Sequence, residues 1–220
     1  MKRMMLGMVL MVGVAVVQVQ AAEPDAAVVK VACVGDSITA GYGAGVKDSY
    51  PFVLGTLLGN GYEVGNFGVS GATLMKKGDK PYWDLDEFKK AGDFAPNLVV
   101  LMLGTNDSKP RNWMGKDAFA DDYRAMVEHF RQLPSKPAVW VCMPAPVYGK
   151  GAFEITDPVV KDEVIPLIKK VAEEMKAPTI DVNAALSKHA ELMPDNVHPN
   201  AAGYKLLAET VARAIAPPRK

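Results

Sequence analysis

Five short runs of the chain are almost continuously apolar, and between them apolar positions recur at helical spacing. The runs at 28–34, 62–67, 97–103, 138–142 and 178–182 lack the strict alternation of a strand with one wet face. They predict strands covered on both sides. Val164, Leu167, Ile168, Val171 and Met175 fall at i, i+3, i+4, i+7 and i+11, and Tyr204, Leu207, Ala208, Val211 and Ile215 repeat the pattern. Each set predicts an amphipathic helix. Phe119, Tyr123, Met126 and Phe130 mark another, and Leu54, Leu57 and Leu58 a shorter one after Pro51. Apolar strands alternating with helices predict a parallel α/β sheet with right-handed crossovers.

Such sheets bind ligands beyond the carboxyl ends of their strands, so the residues just after each run matter most. Gly35-Asp36-Ser37 follows the first, Gly68-Val69-Ser70-Gly71 the second and Gly104-Thr105-Asn106-Asp107 the third. Pro144-Ala145-Pro146 follows the fourth, and Asp195-Asn196-Val197-His198 precedes the last helix. Groups capable of catalysis collect on one edge of the expected sheet.

The 220 residues are 49% hydrophobic, and 25 basic side chains balance 25 acidic ones. This is a globular composition of one-domain size, placed at residues 28–216. Zero net charge gives no electrostatic case for nucleic acid or an anionic membrane. Lys2 and Arg3 precede an apolar stretch from Met4 to Val17, and Val19-Gln20-Ala21 ends it with small residues at the −3 and −1 positions. Residues 1–21 therefore read as a cleaved signal peptide, followed by a linker at 22–27, with a tail at 217–220. The stretch falls short of the roughly 20 residues a membrane span needs. The expected protein is exported, periplasmic or extracellular, without a stable membrane anchor after cleavage. Cys33 and Cys142 lie in the first and fourth runs. If a third strand separates them, they stand about 10 Å apart, beyond the roughly 7 Å a disulfide bridges, and both read as buried free thiols.

A serine hydroxyl needs an adjacent base to become a nucleophile, and there are three histidines. His129 falls in an amphipathic helix without polar companions, and His189 lies in the helix-like segment "LSKHAEL". His198 stands in a loop three residues after Asp195, whose carboxylate can curl back to the imidazole Nδ1–H. Pro199 keeps His198 out of helical conformation, and Asn200 can cap the next helix. The same "DNVHPN" reads equally well as a polar loop closed by a helix cap. Oxyanion donors are available at the Ser37 N–H, at Gly68 and at the Asn106 amide. Gly68 also reads as a simple turn and Asn106 as an Asx-turn residue, and Asn106-Asp107-Ser108 fits an N-glycosylation acceptor. One useful histidine and no cysteine pair predict neither a metal site nor a cofactor.

Together these motifs resemble the SGNH hydrolases, also called the GDSL esterases and lipases. Gly35-Asp36-Ser37-Ile38 is similar to the family's first block, with Ile38 in place of leucine. "NFGVSGAT", "GTND" and "DNVHP" resemble the second, third and last blocks, in family order. The resemblance implies a three-layer flavodoxin-like fold with five parallel strands ordered 2-1-3-4-5. It implies Ser37 as nucleophile, His198 as base, Asp195 as its orienting acid, and Ser37, Gly68 and Asn106 as the oxyanion hole. "GTNDSKPRNW" is similar to members acting on acetylated carbohydrates, including sialate and xylan O-acetylesterases, which implies a serine esterase acting on small acetylated sugars. Asp107, Arg111 and Trp113 then become candidate substrate contacts, although Trp113 can equally pack on the domain. Met75, Trp83 and Met114 could instead line an acyl groove, as in a lysophospholipase or thioesterase. A silent binding domain is a third reading. Residues 77–88 read as either a lid or a wall.

Overall fold

The computed structural model describes residues 27–216. The expected leader, the tail and all of the linker but residue 27 lie outside the described residues. Strands β1 (Val29–Gly35), β2 (Tyr62–Gly68), β3 (Leu98–Met102), β4 (Ala138–Met143) and β5 (Thr179–Asp181) end within one residue of the bounds read from the sequence. They form one parallel sheet in the order β2-β1-β3-β4-β5. The helices are α1 (Ser37–Ala40), α2 (Tyr50–Leu58), α3 (Asp86–Asp93), α4 (Pro110–Trp113), α5 (Phe119–Gln132), α6 (Asp157–Val159), α7 (Ile165–Glu174), α8 (Val182–Leu186) and α9 (Ala201–Ile215).

Because successive strand residues face opposite ways, the apolar runs feed two cores. Val31, Cys33, Val100, Met102 and Ile180 pack against Leu54 of α2, Leu186 of α8 and Tyr204, Leu207 and Val211 of α9. Ala32, Val34, Val99, Leu101 and Val141 pack against Ala91 of α3, Phe119, Tyr123 and Met126 of α5, and Ile168 and Val171 of α7. Each fully buried large side chain contributes roughly 1.5–3 kcal/mol, and the two clusters cover both faces of the sheet. Before α7 the chain makes a wide π turn over Val160–Val164. Pro166 lacks the N–H that an α-helix would donate to residue 162. β3 runs between β1 and β4, and Cys33 and Cys142 are buried and free. Burial pushes the Cys33 thiol up to about 12, a bond with Tyr50 opposing it, and raises Cys142 as well. Such thiols are unreactive.

Candidate active site

At the end of β1 the chain turns directly into α1. The Asp36 carboxylate caps this single turn by accepting the Ile38 N–H at 2.9 Å, and Gly41 closes it in the left-handed region at φ 89°. Two glycines allow α1 to sit down on the sheet edge. A Cβ on Gly35 would fall 2.1 Å from Thr39 Oγ1 and 2.6 Å from the Met102 carbonyl. One on Gly68 would fall 2.2 Å from the Ala40 nitrogen. Ser37 is thereby held at the first helical position, 8% exposed, with its N–H in the helix's unsatisfied first turn.

His198 arrives from the opposite end of the chain, in the loop before α9. Asn200 caps that helix by accepting the Gly203 N–H at 3.0 Å, and Asn196 takes a left-handed φ of 68°, which asparagine tolerates better than most residues. The loop folds around Asp195, whose Oδ1 accepts the backbone N–H of His198 at 2.7 Å and of Val197 at 3.0 Å. Its Oδ2 lies 2.7 Å from His198 Nδ1. Partial burial raises the Asp195 carboxyl, but these N–H groups and the imidazole outweigh it and hold the group below its ordinary value. An ionised carboxylate only accepts hydrogen bonds, so Nδ1 carries the proton and Nε2 faces Ser37 Oγ, 2.8 Å away, as an acceptor.

Asn106 is buried and oriented from two sides. Its Nδ2 donates to the Ala72 carbonyl at 3.1 Å, and its backbone carbonyl accepts Asn112 Nδ2 at 2.9 Å. An amide nitrogen has two hydrogens, which leaves one for the cleft that Asn106 lines with Ser37 and His198. Gly68 is placed differently from expectation. Its N–H donates to Asn66 Oδ1 at 3.0 Å, and its missing side chain serves the contact with α1. Ser70 and Gly71 line the cleft instead. Gly71 sits at φ 83°, and its N–H has no acceptor among the described residues. It is the second glycine of the same "GVSG" motif, so the sequence carried the signal at both positions.

The candidate substrate contacts also move. Asp107 is fully buried, and its carboxylate accepts the Leu74 and Met75 N–H groups at 2.9 and 2.8 Å. Burial pushes it up to about 6, those N–H groups opposing, and it buttresses the segment after β2 rather than meeting a substrate. Trp113 is 7% exposed, packs on Phe119 and donates to Glu163 at 3.0 Å. The packing alternative is therefore the one adopted. Arg111 pairs with Asp79 at 2.8 Å and is absent from the cleft wall. Met75 is buried, Met114 is 85% exposed, and Trp83 donates to the Leu74 carbonyl at 2.8 Å, so the three assemble no acyl groove. Residues 77–88 line no part of the cleft and are hydrogen-bonded to the body of the domain. Asp79 and Asn112 exchange two hydrogen bonds of 2.9 Å, and the Tyr82 hydroxyl donates to the Phe67 carbonyl at 2.6 Å.

The cleft holds about 260 Å³. Tyr42, Lys109, Phe153 and Ile155 complete its wall, and none was singled out from the sequence. The Tyr42 ring lies 4.4 Å from the His198 ring and Phe153 lies 5.8 Å from it, centroid to centroid. Neither aromatic belongs to a motif, and Phe153 lies in a loop whose path no local pattern announces. Lys109 stands three residues after Asn106, a spacing that was the one available clue.

Residues 33–206 match the model of the GDSL-like lipase/acylhydrolase family. An acetylxylan esterase of Xylanibacter ruminicola is 37% identical over 212 residues, which take in 87% of this chain and 44% of that protein. The chain thus spans less than half of that relative. An acetylxylan esterase of Geobacillus stearothermophilus is 29% identical over 168 residues, covering 70% of this chain and 73% of that one. The solved structure of a carbohydrate acetylesterase family member from Sinorhizobium meliloti shares the fold, with a TM-score of 0.69 over 85% of this chain and 97% of that one at 22% identity.

Proposed function

The chain belongs to the GDSL-like lipase/acylhydrolase family, and we propose that within it the protein is an exported serine esterase removing O-acetyl groups from carbohydrates. The observation that carries the reading is the unbroken line from Ser37 Oγ through the His198 ring to Asp195, with steps of 2.8 and 2.7 Å, opening into a small cleft. Ser37 Oγ attacks the acyl carbon as His198 Nε2 takes its proton, and Asp195 stabilises the imidazolium that forms. The Ser37 and Gly71 N–H groups and the free Asn106 amide hydrogen receive the oxyanion. His198 then protonates the leaving alcohol and later deprotonates the water that releases acetate.

A volume of about 260 Å³, below the roughly 300–1,000 Å³ of drug-sized ligand sites, suits an acetyl group and the sugar atoms next to it. Both acetylxylan esterases named above are relatives acting on that kind of bond. The test is the acyl-chain profile of the mature protein on p-nitrophenyl esters from acetate to octanoate, with Ser37→Ala as blank. A steep preference for acetate supports the reading. A rate rising with chain length sinks it in favour of a lipid or thioester substrate. Export rests on the leader at residues 1–21, and N-terminal sequencing of the protein secreted by its host tests it; a mature chain that still begins at Met1 rejects it.

A further inference from the structure

Lys109 is the one lysine or arginine on the cleft wall among the described residues, and the mechanism above does not use it. Its side chain is only 8% exposed. Its backbone is fixed from both sides, the N–H donating to Asn106 O at 3.3 Å and the carbonyl accepting the Asn112 and Trp113 N–H groups at 2.9 Å. The ammonium makes no hydrogen bond with the described residues. Asp79 Oδ2 lies 4.0 Å away, beyond hydrogen-bonding reach. That oxygen is already held by Arg111 at 2.8 Å, and Oδ1 by Asn112 Nδ2 at 2.9 Å.

The other charged groups nearby are engaged elsewhere. Lys80 Nζ donates to the Ser70 carbonyl at 3.0 Å, and Asp107 accepts two backbone N–H groups. Asp36 lies behind the nucleophile and caps α1. The side chain is nearly buried, yet its ammonium has three donors and no acceptor within hydrogen-bonding reach among the described residues, which leaves them to water or to a ligand. Lys109 is part of the wall of the cleft that holds Ser37 and His198.

We propose that Lys109 receives a carboxylate of the substrate, so that the favoured substrates are acetylated sugars bearing or adjoining a uronic acid. This rests on the acetylesterase reading and names the substrate class within it. A single ammonium acts as a point charge that balances a single negative charge, as on a carboxylate. A neutral substrate offers the same ammonium only uncharged hydroxyl or carbonyl acceptors, a weaker pairing, which places selectivity at this one side chain.

The test compares kcat/KM on acetylated xylo-oligosaccharides carrying glucuronate with the same oligosaccharides after methyl esterification of the carboxylate. The wild-type protein is expected to prefer the anionic form by about ten- to a hundredfold, the size of one charge-assisted hydrogen bond. Lys109→Gln collapses that ratio toward one, and Lys109→Arg restores part of it. A wild-type ratio near one overturns the proposal. So does a Lys109→Gln protein that loses both rates and keeps the ratio, which would assign Lys109 to the reaction itself or to balancing Asp36 and Asp79. Inhibition of p-nitrophenyl acetate hydrolysis by free glucuronate, against its methyl ester, decides the same question without a sugar ester. If no acetylated sugar is hydrolysed, the acetylesterase reading falls while this arm still judges Lys109.

Discussion

Ser37 Oγ and His198 Nε2 stand 2.8 Å apart although 161 residues separate them in the chain. One is carried by the first strand's tip and the other by the entrance to the last helix, so only the assembled sheet brings them together. The proposed chemistry therefore depends on the whole fold. In the proposed mechanism the three side chains work as a unit, so Ser37→Ala and His198→Ala should each lower kcat by about 10⁵–10⁶-fold. Asp195→Asn should cost about 10⁴-fold by reversing the imidazole tautomer. Steady-state kinetics with p-nitrophenyl acetate measures all three, and a variant within tenfold of wild type removes that residue from the mechanism.

The two glycines of "GVSG" should separate cleanly. Gly68→Ala drives a Cβ into the α1 backbone, 2.2 Å from Ala40 N, so a large fall in melting temperature is expected. Gly71→Ala meets nothing closer than Lys80 Cδ at 3.8 Å, but its φ of 83° costs an L-residue about 1 kcal/mol or more. That protein should fold and lose kcat as the local backbone relaxes. Asn106→Ala should lose about 10²–10³-fold in kcat with little change in KM, as removal of an oxyanion donor does. A Gly71→Ala protein with wild-type kcat would show that its N–H is not a donor to the oxyanion.

Asp36 gives the fold a pH dependence. Burial pushes its carboxyl up from 3.8 to about 7, with the Ile38 N–H, Thr105 and the Lys109 charge opposing and Asp107 adding to the rise. Its Oδ2 has no hydrogen-bond partner. A carboxyl whose folded value is raised binds its proton more tightly folded than unfolded. Its stabilising contribution is present below pH 3.8 and is lost as pH rises toward 7. The melting temperature of wild type should therefore fall from pH 5 to pH 8 relative to Asp36→Asn, which keeps the cap oxygen without the charge. Each kcal/mol corresponds to about 2–4 °C at this chain length, so the difference is measurable by calorimetry. Parallel curves for the two proteins would refute the raised value.

Periodicity and motif order made the sheet legible, because a strand buried on both faces must be apolar throughout and its tip cannot be. The Ser37, Asp195 and His198 constellation was legible for a related reason: each sits where an element ends and a side chain is free to turn outward. The errors share a cause as well. Asp107 and Trp113 follow Asn106 closely in sequence, but the short turn over Asn106–Ser108 and α4 rotate them inward. There their polar atoms meet Leu74, Met75 and Glu163. Tyr42 and Phe153 were missed because what assigns them is spatial, the approach of two loops to one imidazole.

That contrast sets the last prediction. Trp113 and Phe153 are both aromatic residues near the site, yet one is 7% exposed and the other 55%. Trp113→Ala removes packing against Phe119 and should cost about 3–5 kcal/mol of stability, with a melting shift far larger than any change in KM. Phe153 holds a left-handed φ of 58°, followed by Glu154 at 63°, and its ring stands edge-on to Tyr42, 6.0 Å between centroids. An exposed apolar ring in such a conformation is not there for the core. Phe153→Ala should leave the melting temperature nearly unchanged and raise KM for an acetylated oligosaccharide severalfold, with a smaller effect on p-nitrophenyl acetate, whose small acyl group reaches Ser37 without a sugar to stack. Equal effects on the two substrates would instead make Phe153 a wall around His198 rather than a platform for the sugar.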